Sequence, residues 1–131
     1  MMKAFNVGIK ALIVREGKIL LVRRAGDYQY WDVPGGRIDD DESIEATLDR
    51  ELREELPNIE SYDNQGIIDA YRLHKDIKPD LSLALVFYRI EATFTGGEPE
   101  LSVEHSEYRW VDLAEAVEMA DVVCRTAIAK V

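Results

Sequence analysis

The segment Gly35–Leu56 constrains the fold most strongly, because it places several acids at helical spacing. Glu51, Glu54 and Glu55 are spaced i, i+3, i+4, which puts three carboxylates on one side of a helix. Like charges at this spacing repel one another and lower the stability of the helix. A divalent cation removes the repulsion, and hard cations such as Mg²⁺ take oxygen ligands that they share with substrate phosphates. The segment therefore predicts a helix whose acidic side binds metal.

An apolar stripe runs beside these acids. At about 100° per residue, one face of the helix carries four apolar side chains, which we expect to face a sheet: Ile44, Leu48, Leu52 and Leu56. Glu55 falls just inside the edge of the stripe, Glu51 lies beside it and Glu54 lies further out. A carboxylate that borders the core needs a partner. This is a second physical reason to expect metal.

The ends of the helix are predicted from capping chemistry. We expect it to start within Asp39–Asp41, where a carboxylate can accept an N-cap hydrogen bond and favour the positive end of the helix dipole. It should stop at about Leu56, because a residue before proline avoids the α region and Pro57 follows. Asn58 is the residue expected to adopt the left-handed conformation beyond the helix.

Apolar and β-branched runs on either side of this helix predict strands. We expect strands at residues 5–15, 18–24, 31–33, 66–74, 81–94 and 107–111, with a polar loop over 57–65. Short helices are expected to begin at Asp112 and Asp121. Strands first, one central helix and terminal helices predict an α/β fold, a mixed sheet covered by helices on both faces. We expect one domain, residues 1–131.

The composition excludes some classes of function. Hydrophobic residues make up 47% of the chain and charged residues 32%, which is typical of a globular protein. The net charge of −10 argues against binding to long nucleic acid, whose phosphates attract Lys and Arg. A small phosphate substrate is compatible with this charge, because a bound metal supplies local positive charge.

Further expectations concern the compartment. Cys124 is the single cysteine, so no intramolecular disulfide is possible, which fits a reducing cytoplasm. The sequence shows neither a charged-then-apolar leader nor an apolar run near about 18 residues. We therefore expect a cytoplasmic protein that does not span a membrane.

The central segment resembles the signature of the Nudix hydrolases. After Gly36 come five residues and Glu42, then seven residues and the run Arg50–Glu55, which reads Arg-Glu-Leu-Arg-Glu-Glu. Every charged position of the signature is present. The sequence departs from it only at the end, where Pro57 replaces a glycine and Asn58 an apolar residue. The resemblance implies an α/β/α sandwich and a metal-dependent pyrophosphohydrolase site.

The resemblance also assigns roles to residues of the segment. It implies that Mg²⁺, with Mn²⁺ as an alternative, is bound by three carboxylates: Glu51, Glu54 and Glu55. Glu42 and Arg50 match a pair that braces the loop against the helix, so Arg50 supports catalysis. The backbone of Gly35 and Gly36 is expected to approach metal and phosphate, which needs residues without a Cβ. The alternative is a surface helix held by ion pairs between its acids and arginines.

The base that activates water is either a glutamate of this segment or one from a later loop. Residues 102–110 look like a segment of diadenosine tetraphosphate hydrolases and other Nudix members, in which the glutamate before the histidine lies near the metals. This favours Glu104, against the alternative of a solvated loop acid, and places Glu107 on a strand. His74 and His105 are expected to have surface or packing roles.

Substrate contacts are predicted around the same loop. Arg23 and Arg37, with Arg24, are candidates to bind phosphate oxygens, the alternative being ion pairs with neighbouring acids. Tyr30 is a candidate to contact a base, whereas Trp31 reads as core. Cys124 also reads as a core residue.

The predicted reaction is hydrolysis of a pyrophosphate bond in a nucleoside diphosphate linked to a group X. Nucleoside triphosphates, oxidised or ordinary, are the first expectation, followed by dinucleoside polyphosphates and ADP-ribose. Specificity should come from the loops at 25–30, 75–80 and 96–105. Two alternatives stay open: a non-catalytic nucleotide or ADP-ribose sensor, and an RNA 5′-end pyrophosphohydrolase. A homodimer is compatible with the resemblance to this family, although the sequence shows no obvious dimer interface.

Overall fold

The computed structural model describes residues 2–131, which form a seven-stranded sheet with helices packed on it. The strands are β1 (Ala4–Arg15), β2 (Lys18–Arg24), β3 (Trp31–Asp32), β4 (Gly35–Arg37), β5 (Ile59–Arg72), β6 (Leu81–Phe94) and β7 (His105–Asp112). The helices are α1 (Ile44–Glu55), α2 (Leu113–Met119) and α3 (Arg125–Ala129), with a 3₁₀ turn at Val122–Cys124. Over residues 2–131, none of the helices combines the length and the apolar character needed to cross a membrane.

Strand β1 organises the sheet because it pairs with three other strands. Its residues 4–13 run parallel to β6, its residues 8–10 pair with β4, and Val14 and Arg15 pair with β2. Strand β2 also pairs with β3 and β7, and β6 with β5, all antiparallel. The parallel β1–β6 pair among antiparallel ones confirms the predicted mixed sheet.

Two core layers lie on opposite faces of the sheet, as the alternation of side chains along a strand requires. On β1, Ile9, Ala11 and Ile13 pack on the face that α1 covers, whereas Leu12 packs on the other face. Helix α1 contributes the predicted stripe: Leu48, Leu52 and Leu56. The second face is covered by α2, the 3₁₀ turn and α3, which contribute Ala116, Cys124, Ala127 and Ile128. Helices on both faces confirm the predicted sandwich.

Helix α1 starts later than expected. The prediction that it begins within Asp39–Asp41 is wrong, because Asp41 has a left-handed backbone (φ 63°) that interrupts a helix. Ser43 is the N-cap, and its side chain accepts a hydrogen bond from Ala46 N. The C-cap is Leu56, as predicted. The acidic run instead forms a turn in which Glu42 N donates to Asp39 O over 3.2 Å.

The segment after α1 also differs from its prediction. Strand β5 begins at Ile59 rather than after a loop to Gln65, because its first half pairs with β6 in spite of its polar side chains. Asn58 is absent from the residues with positive φ in the described chain. Its side chain instead bonds Thr95 O, Glu98 O and Glu100 N at 2.7–3.0 Å, which ties the end of α1 to the β6–β7 connection.

Smaller differences concern short elements. The Pro-Gly-Gly turn continues into β4, which pairs with β1 and was not predicted. Strand β7 extends the predicted 107–111 strand at both ends. Asp112 is the N-cap of α2 without a side-chain hydrogen bond, whereas Asp121 caps the 3₁₀ turn through Val122 N.

The core assignment predicts a contrast between two isoleucines on neighbouring strands. Ile90 on β6 is fully buried, whereas Ile67 on β5 is 57% exposed. Ile90→Ala should lower the free energy of unfolding by about 2–5 kcal/mol, since it removes buried methylenes and leaves a cavity. Ile67→Ala should change it by less than about 1 kcal/mol. Chemical denaturation measures both values, and equal losses would contradict the packing described here.

Candidate active site

The last residue of α1, Glu55, joins three parts of the fold. Its side chain is almost completely buried, at 3% exposure. Its Oε2 accepts a hydrogen bond of 2.8 Å from Gly35 N on β4, and its backbone oxygen accepts one of 3.2 Å from Ser102 N. Glu55 therefore fixes the end of α1 to β4 and to the loop before β7.

The Glu55 carboxylate lies in a site that disfavours its charge. Burial raises its pKa to about 8, although the Gly35 hydrogen bond and the charge of Lys10 act in the opposite direction. The carboxylates of Glu51 and Glu104 raise the pKa further. The cluster is therefore short of positive charge, and a cation beside Glu55 would favour the ionised carboxylate over the protonated one.

Two glycines allow β4 to lie directly against the acidic side of α1. A Cβ on Gly36 would lie 2.3 Å from the carboxyl carbon of Glu51. Gly35 has φ +152°, and a Cβ there would lie 2.1 Å from the backbone oxygen of Ile9. Gly35 therefore has no room for a side chain, and a side chain at position 36 would displace the Glu51 carboxylate.

Arg50 organises the exposed half of the acidic side. Its Nε and Nη2 donate to the two carboxylate oxygens of Glu42 at 2.7 and 2.9 Å, which is a bidentate pair. Its Nη1 donates to Glu51 at 2.7 Å and lies 3.5 Å from a Glu54 oxygen. Its Nη2 also donates to the backbone oxygen of Arg37 at 3.1 Å. Arg50 thus connects the acidic turn, through Glu42, to α1 and to the end of β4.

The three glutamates of α1 lie at different depths. Glu55 is buried, the Glu51 side chain is 13% exposed and the Glu54 side chain is 60% exposed. This order matches the one predicted from helical periodicity. It gives a row of carboxylate oxygens that runs from the core to solvent, a donor set that suits a hard divalent cation.

The loop before β7 adds two more groups to this row. Glu104 is exposed and His105 is buried, and a ligand atom from each lies within 4.8 Å of the other and of one from Glu55. His105 Nε2 lies 3.6 Å from Glu55 Oε1. Burial lowers the pKa of His105, so the imidazole is neutral near pH 7 and this contact is not an ion pair. Residue 104 is thereby placed at the acidic cluster, whereas Glu107 lies on β7.

A cavity of about 430 Å³ opens beside the two glycines. Its polar wall includes Arg24, Tyr30 and Arg37, three of the candidate substrate contacts. The apolar part of its lining, the apolar wall, consists of Leu73, Leu83, Leu85 and Val123. Because Gly35 and Gly36 touch both the cavity and the acidic row, a bound molecule can reach from one to the other. The size suits a small organic ligand.

A largely buried ion pair between Lys10 and Asp32 also lines this cavity. Lys10 Nζ donates to Asp32 Oδ2 at 3.1 Å, and Asp32 Oδ1 accepts from Val33 N at 2.7 Å. Burial is the largest single influence and opposes the charge of Lys10, but the charge and hydrogen bond of Asp32, together with the other acidic groups nearby, raise the pKa of Lys10 above its ordinary value. The Cys124 thiol lies 3.5 Å from Asp32 Oδ1, and burial raises its pKa. Cys124 is therefore an unreactive core residue, as predicted.

Arg23 is a predicted site residue that the structure places outside the cavity, whereas Trp31 was expected in the core. Arg23 pairs with Glu107 at 2.9 Å and lies outside the lining of the cavity. Trp31 is half-buried against the second core layer. A larger concavity of about 520 Å³ lies where β1 and β6 diverge. None of the α1 glutamates lines it, and its Arg15 is already bonded to Gly97 O at 2.9 Å.

Three features of this region were not predicted from the sequence: the Lys10–Asp32 pair, the apolar wall and the buried position of His105. A lysine at the centre of an otherwise apolar strand was the available signal for Lys10, because such a residue needs a buried partner. The apolar wall could not be predicted from the sequence, because its leucines occur in the same pattern as residues of the hydrophobic core.

Comparison with known proteins gives a consistent result. The family model described as NUDIX domain matches residues 2–128. The chain is 30% identical over 104 residues to the asymmetrical bis(5′-nucleosyl)-tetraphosphatase of Mus musculus, covering 79% of this chain and 69% of the relative. It is 45% identical over 58 residues to the CTP pyrophosphohydrolase of Escherichia coli K12, which covers only 42% of each protein.

Solved structures show the same fold. The MutT NUDIX hydrolase from Burkholderia pseudomallei superposes with a TM-score of 0.77 at 27% identity, covering 98% of this chain and 99% of that one. The solution structure of the E. coli ORF135 protein gives a TM-score of 0.79 at 24% identity, covering 98% and 89%.

The pair of Glu42 with Arg50 predicts a pH-dependent contribution to stability. Hydrogen bonds from Arg50 are the main cause that lowers the pKa of Glu42 from 4.5 to about 2. A carboxyl whose pKa is lower in the folded state stabilises the fold above its unfolded pKa. That contribution is lost as the pH falls from about 4.5 to about 2. Glu42→Gln should therefore melt below wild type at pH 7.

Thermal melts across this pH range provide the measurement, with the exposed Glu60→Gln as control. The difference between Glu42→Gln and wild type should shrink steadily as acid is added. A difference that stays constant down to pH 2 would show that Glu42 does not stabilise the fold through its charge.

Proposed function

Because the chain belongs to the Nudix family of hydrolases, we propose that it hydrolyses a pyrophosphate bond in a small nucleotide with Mg²⁺ bound by Glu51, Glu54 and Glu55. The observation that carries the proposal is that Gly35 and Gly36 line the cavity and also contact Glu55 and Glu51 of the carboxylate row. The family and the fold make the protein a Nudix hydrolase. The substrate and the metal are the proposed parts.

The residues present fit a divalent cation. Glu55 is buried without a cationic hydrogen-bond partner in the described chain, Glu51 shares Arg50, and Glu54 extends into solvent. Carboxylate oxygens in such a row are the ligands that Mg²⁺ and Mn²⁺ prefer. When bound, the cation would neutralise phosphate charge and lower the pKa of a water molecule.

The chain's own groups supply orientation and proton transfer. We assign phosphate binding to Arg37 and Arg24, which line the cavity and can form charge-assisted hydrogen bonds with phosphate oxygens. Glu104, exposed beside Glu55, is assigned as the base that takes a proton from the attacking water. The oxygen of that water forms a bond to phosphorus as the bridging oxygen leaves with the second phosphate. Arg50 positions Glu42 and Glu51 and does not contact the substrate.

The cavity accounts for recognition of the nucleoside. Its apolar wall suits the faces of a base, while Tyr30 and the Lys10–Asp32 pair provide polar groups. Arg23, held by Glu107, is left out of this assignment. Two relatives support a nucleotide substrate by name, the tetraphosphatase and the CTP pyrophosphohydrolase. We therefore rank nucleoside triphosphates and dinucleoside polyphosphates ahead of ADP-ribose.

Packing of every helix on one sheet supports the proposal of a single domain, residues 1–131.

Replacement of one exposed carboxylate tests the proposal. Glu54→Gln should reduce Mg²⁺-dependent release of phosphate or pyrophosphate by about a hundredfold or more, because a lost ligand removes several kcal/mol of transition-state stabilisation. The fold should be unaffected, since the Glu54 side chain is 60% exposed. The matched control is Glu60→Gln, an exposed acid on β5, which should keep full activity.

The substrate panel should contain nucleoside triphosphates, dinucleoside polyphosphates, ADP-ribose and a 5′-triphosphorylated RNA. Metal-dependent turnover of a free nucleotide would establish the proposed reaction. Tight binding of a nucleotide without release would identify a sensor instead. Release from the RNA alone would identify an RNA 5′-end pyrophosphohydrolase, and each of these two results contradicts the proposal.

A further inference from the structure

We propose that the part of the sheet face that α1 leaves uncovered is an interface with a second copy of this chain, in a two-fold symmetric dimer. Three neighbouring features form this surface: an apolar strip on β1 and β6, a basic edge at the end of β5 and the acidic turn after β4. The surface includes none of the residues assigned to metal or substrate. The inference therefore goes beyond the proposed function and does not depend on it.

The apolar strip is the continuation of the sheet face on which α1 packs. On β1 this face carries the buried Ile9, and alternate side chains extend it toward the start of the strand: Val7, which is half-buried, and Phe5, which is 41% exposed. On β6, Ala84 and Val86 pair with Val7 and Ile9 and are half-buried. The strip, defined as Phe5, Val7, Ala84 and Val86, is therefore apolar and partly exposed to solvent.

A basic edge borders the strip on β5. The guanidinium of Arg72 lies 5.0 Å from the centroid of the Phe5 ring, which places both side chains on this face of the sheet. Lys75 follows in the connection to β6, and both cations are exposed. The acid beside them, Asp76, is already paired with Lys3 at 2.6 Å. Arg72 and Lys75 therefore give this edge a positive charge, although the chain as a whole carries −10.

The opposite side of the strip is acidic. Ile38 N donates to Val7 O at 2.9 Å, so the chain that leaves β4 lies alongside the strip. The next residues, Asp39–Asp41, belong to the acidic turn and are all exposed. The four strands lie in the order β4, β1, β6, β5. Since neighbouring strands are about 4.8 Å apart, the strands that carry the acidic turn and the basic edge are separated by about 14 Å.

A surface with opposite charges on its two sides is complementary to itself. In a two-fold dimer, each contact between two different residues occurs twice, once in each direction. Rotation of one copy by 180° about an axis through the apolar strip places its basic edge against the acidic turn of the other copy, and the reverse. The apolar strips then pack together at the axis. Another protein would have to carry the same pattern, whereas this chain supplies both halves of it.

The charged sides are needed for the interface to reach a useful size. An apolar strip about 14 Å wide is much smaller than a standard interface, which buries about 800 Å² on each partner. With the acidic turn and the basic edge included, the contact extends across the whole width of the four strands. We therefore expect a dimer of modest affinity that depends on both the apolar strip and the charges.

Sedimentation velocity at a series of protein concentrations tests for the dimer. The series should run from about 1 µM to about 1 mM, the range in which modest interfaces associate. Wild type should change from monomer to dimer as its concentration rises. Phe5→Ser, which removes the most exposed ring of the strip, should raise the Kd of the dimer at least about tenfold. Added salt should also raise it, because exposed charges are screened.

Charge reversal tests how the two copies are oriented. Arg72→Glu and Asp40→Lys each bring like charges together in the symmetric dimer, so either variant alone should raise the Kd at least about tenfold. An equimolar mixture of the two variants should associate about as tightly as wild type. In that heterodimer each reversed side chain faces a reversed partner, and each unchanged side chain faces an unchanged one.

The matched control is Lys18→Glu, which makes the same change of charge at an exposed position. Lys18 pairs with Arg15, which is ten residues, or about 33 Å, along β1 from Phe5. This variant should dimerise like wild type. Circular dichroism checks that each variant is folded, and should Phe5→Ser fail to fold, the two charge reversals and their mixture still decide the question.

Three outcomes would overturn the inference: wild type that stays monomeric throughout the series, a dimer weakened as much by Lys18→Glu as by Arg72→Glu, or reversed variants that do not associate when mixed. Hydrolysis with Mg²⁺ is measured on the same samples. Full hydrolysis by a protein that is monomeric throughout overturns this inference alone. A dimer with the expected response to charge reversal but without hydrolysis of any substrate overturns the proposed function alone.

Discussion

The hydrogen bond from Gly35 N to the buried Glu55 carboxylate is the contact on which the site depends. It joins the last turn of α1 to the glycine strand β4, and the backbone of Glu55 is bonded in turn to the loop that carries Glu104. Movement of any one of these elements would separate the carboxylates from the cavity. The contact also keeps an acid inside the fold, where burial works against its charge. Glu55 therefore both holds these elements in position and carries the unfavourable free energy of a buried carboxylate.

The acidic side of α1 is stabilised in two different ways. At its exposed end, Arg50 balances Glu42 and Glu51 through short hydrogen bonds. At its buried end, Glu55 has only backbone and long-range partners, so repulsion from its neighbours stays uncompensated. Arg50 therefore fixes the arrangement of the carboxylates but neutralises only part of their negative charge. The remaining negative charge is compatible with the proposed reaction of a protein with net charge −10, since a cation bound there would reverse the local charge.

The sequence predicted those features that follow from periodicity and spacing. The stripe of α1, the depth of Glu55 and the strand limits at 18–24 and 81–94 were all predicted correctly, because each follows from local repeats. The start of α1 at Ser43 depends on the backbone of Asp41, and the start of β5 depends on pairing with β6. Such long-range pairing and turn geometry leave little trace in a single sequence.

The cavity was the least predictable part of the site. Lys10 on β1 and Asp32 on β3 meet only because the sheet brings these strands together, 22 residues apart in the chain. The leucines of the apolar wall lie on β6 and directly after β5. In the sequence they cannot be told apart from leucines of the hydrophobic core. The spacing of the motif could therefore indicate phosphate chemistry. The lining of the cavity could not be predicted in this way, because it depends on tertiary contacts.

The most direct test of the account is the thermal stability of wild type and Glu55→Gln with and without Mg²⁺. Without metal at neutral pH, Glu55→Gln should melt higher than wild type, because an amide oxygen can accept the Gly35 hydrogen bond, whereas the carboxyl with its pKa of about 8 must take up a proton on folding. Mg²⁺ should raise the melting temperature of wild type, since it binds the folded state, and leave that of Glu55→Gln nearly unchanged. A wild-type protein whose melting temperature does not respond to Mg²⁺ would contradict the claim that the carboxylate row is a cation site.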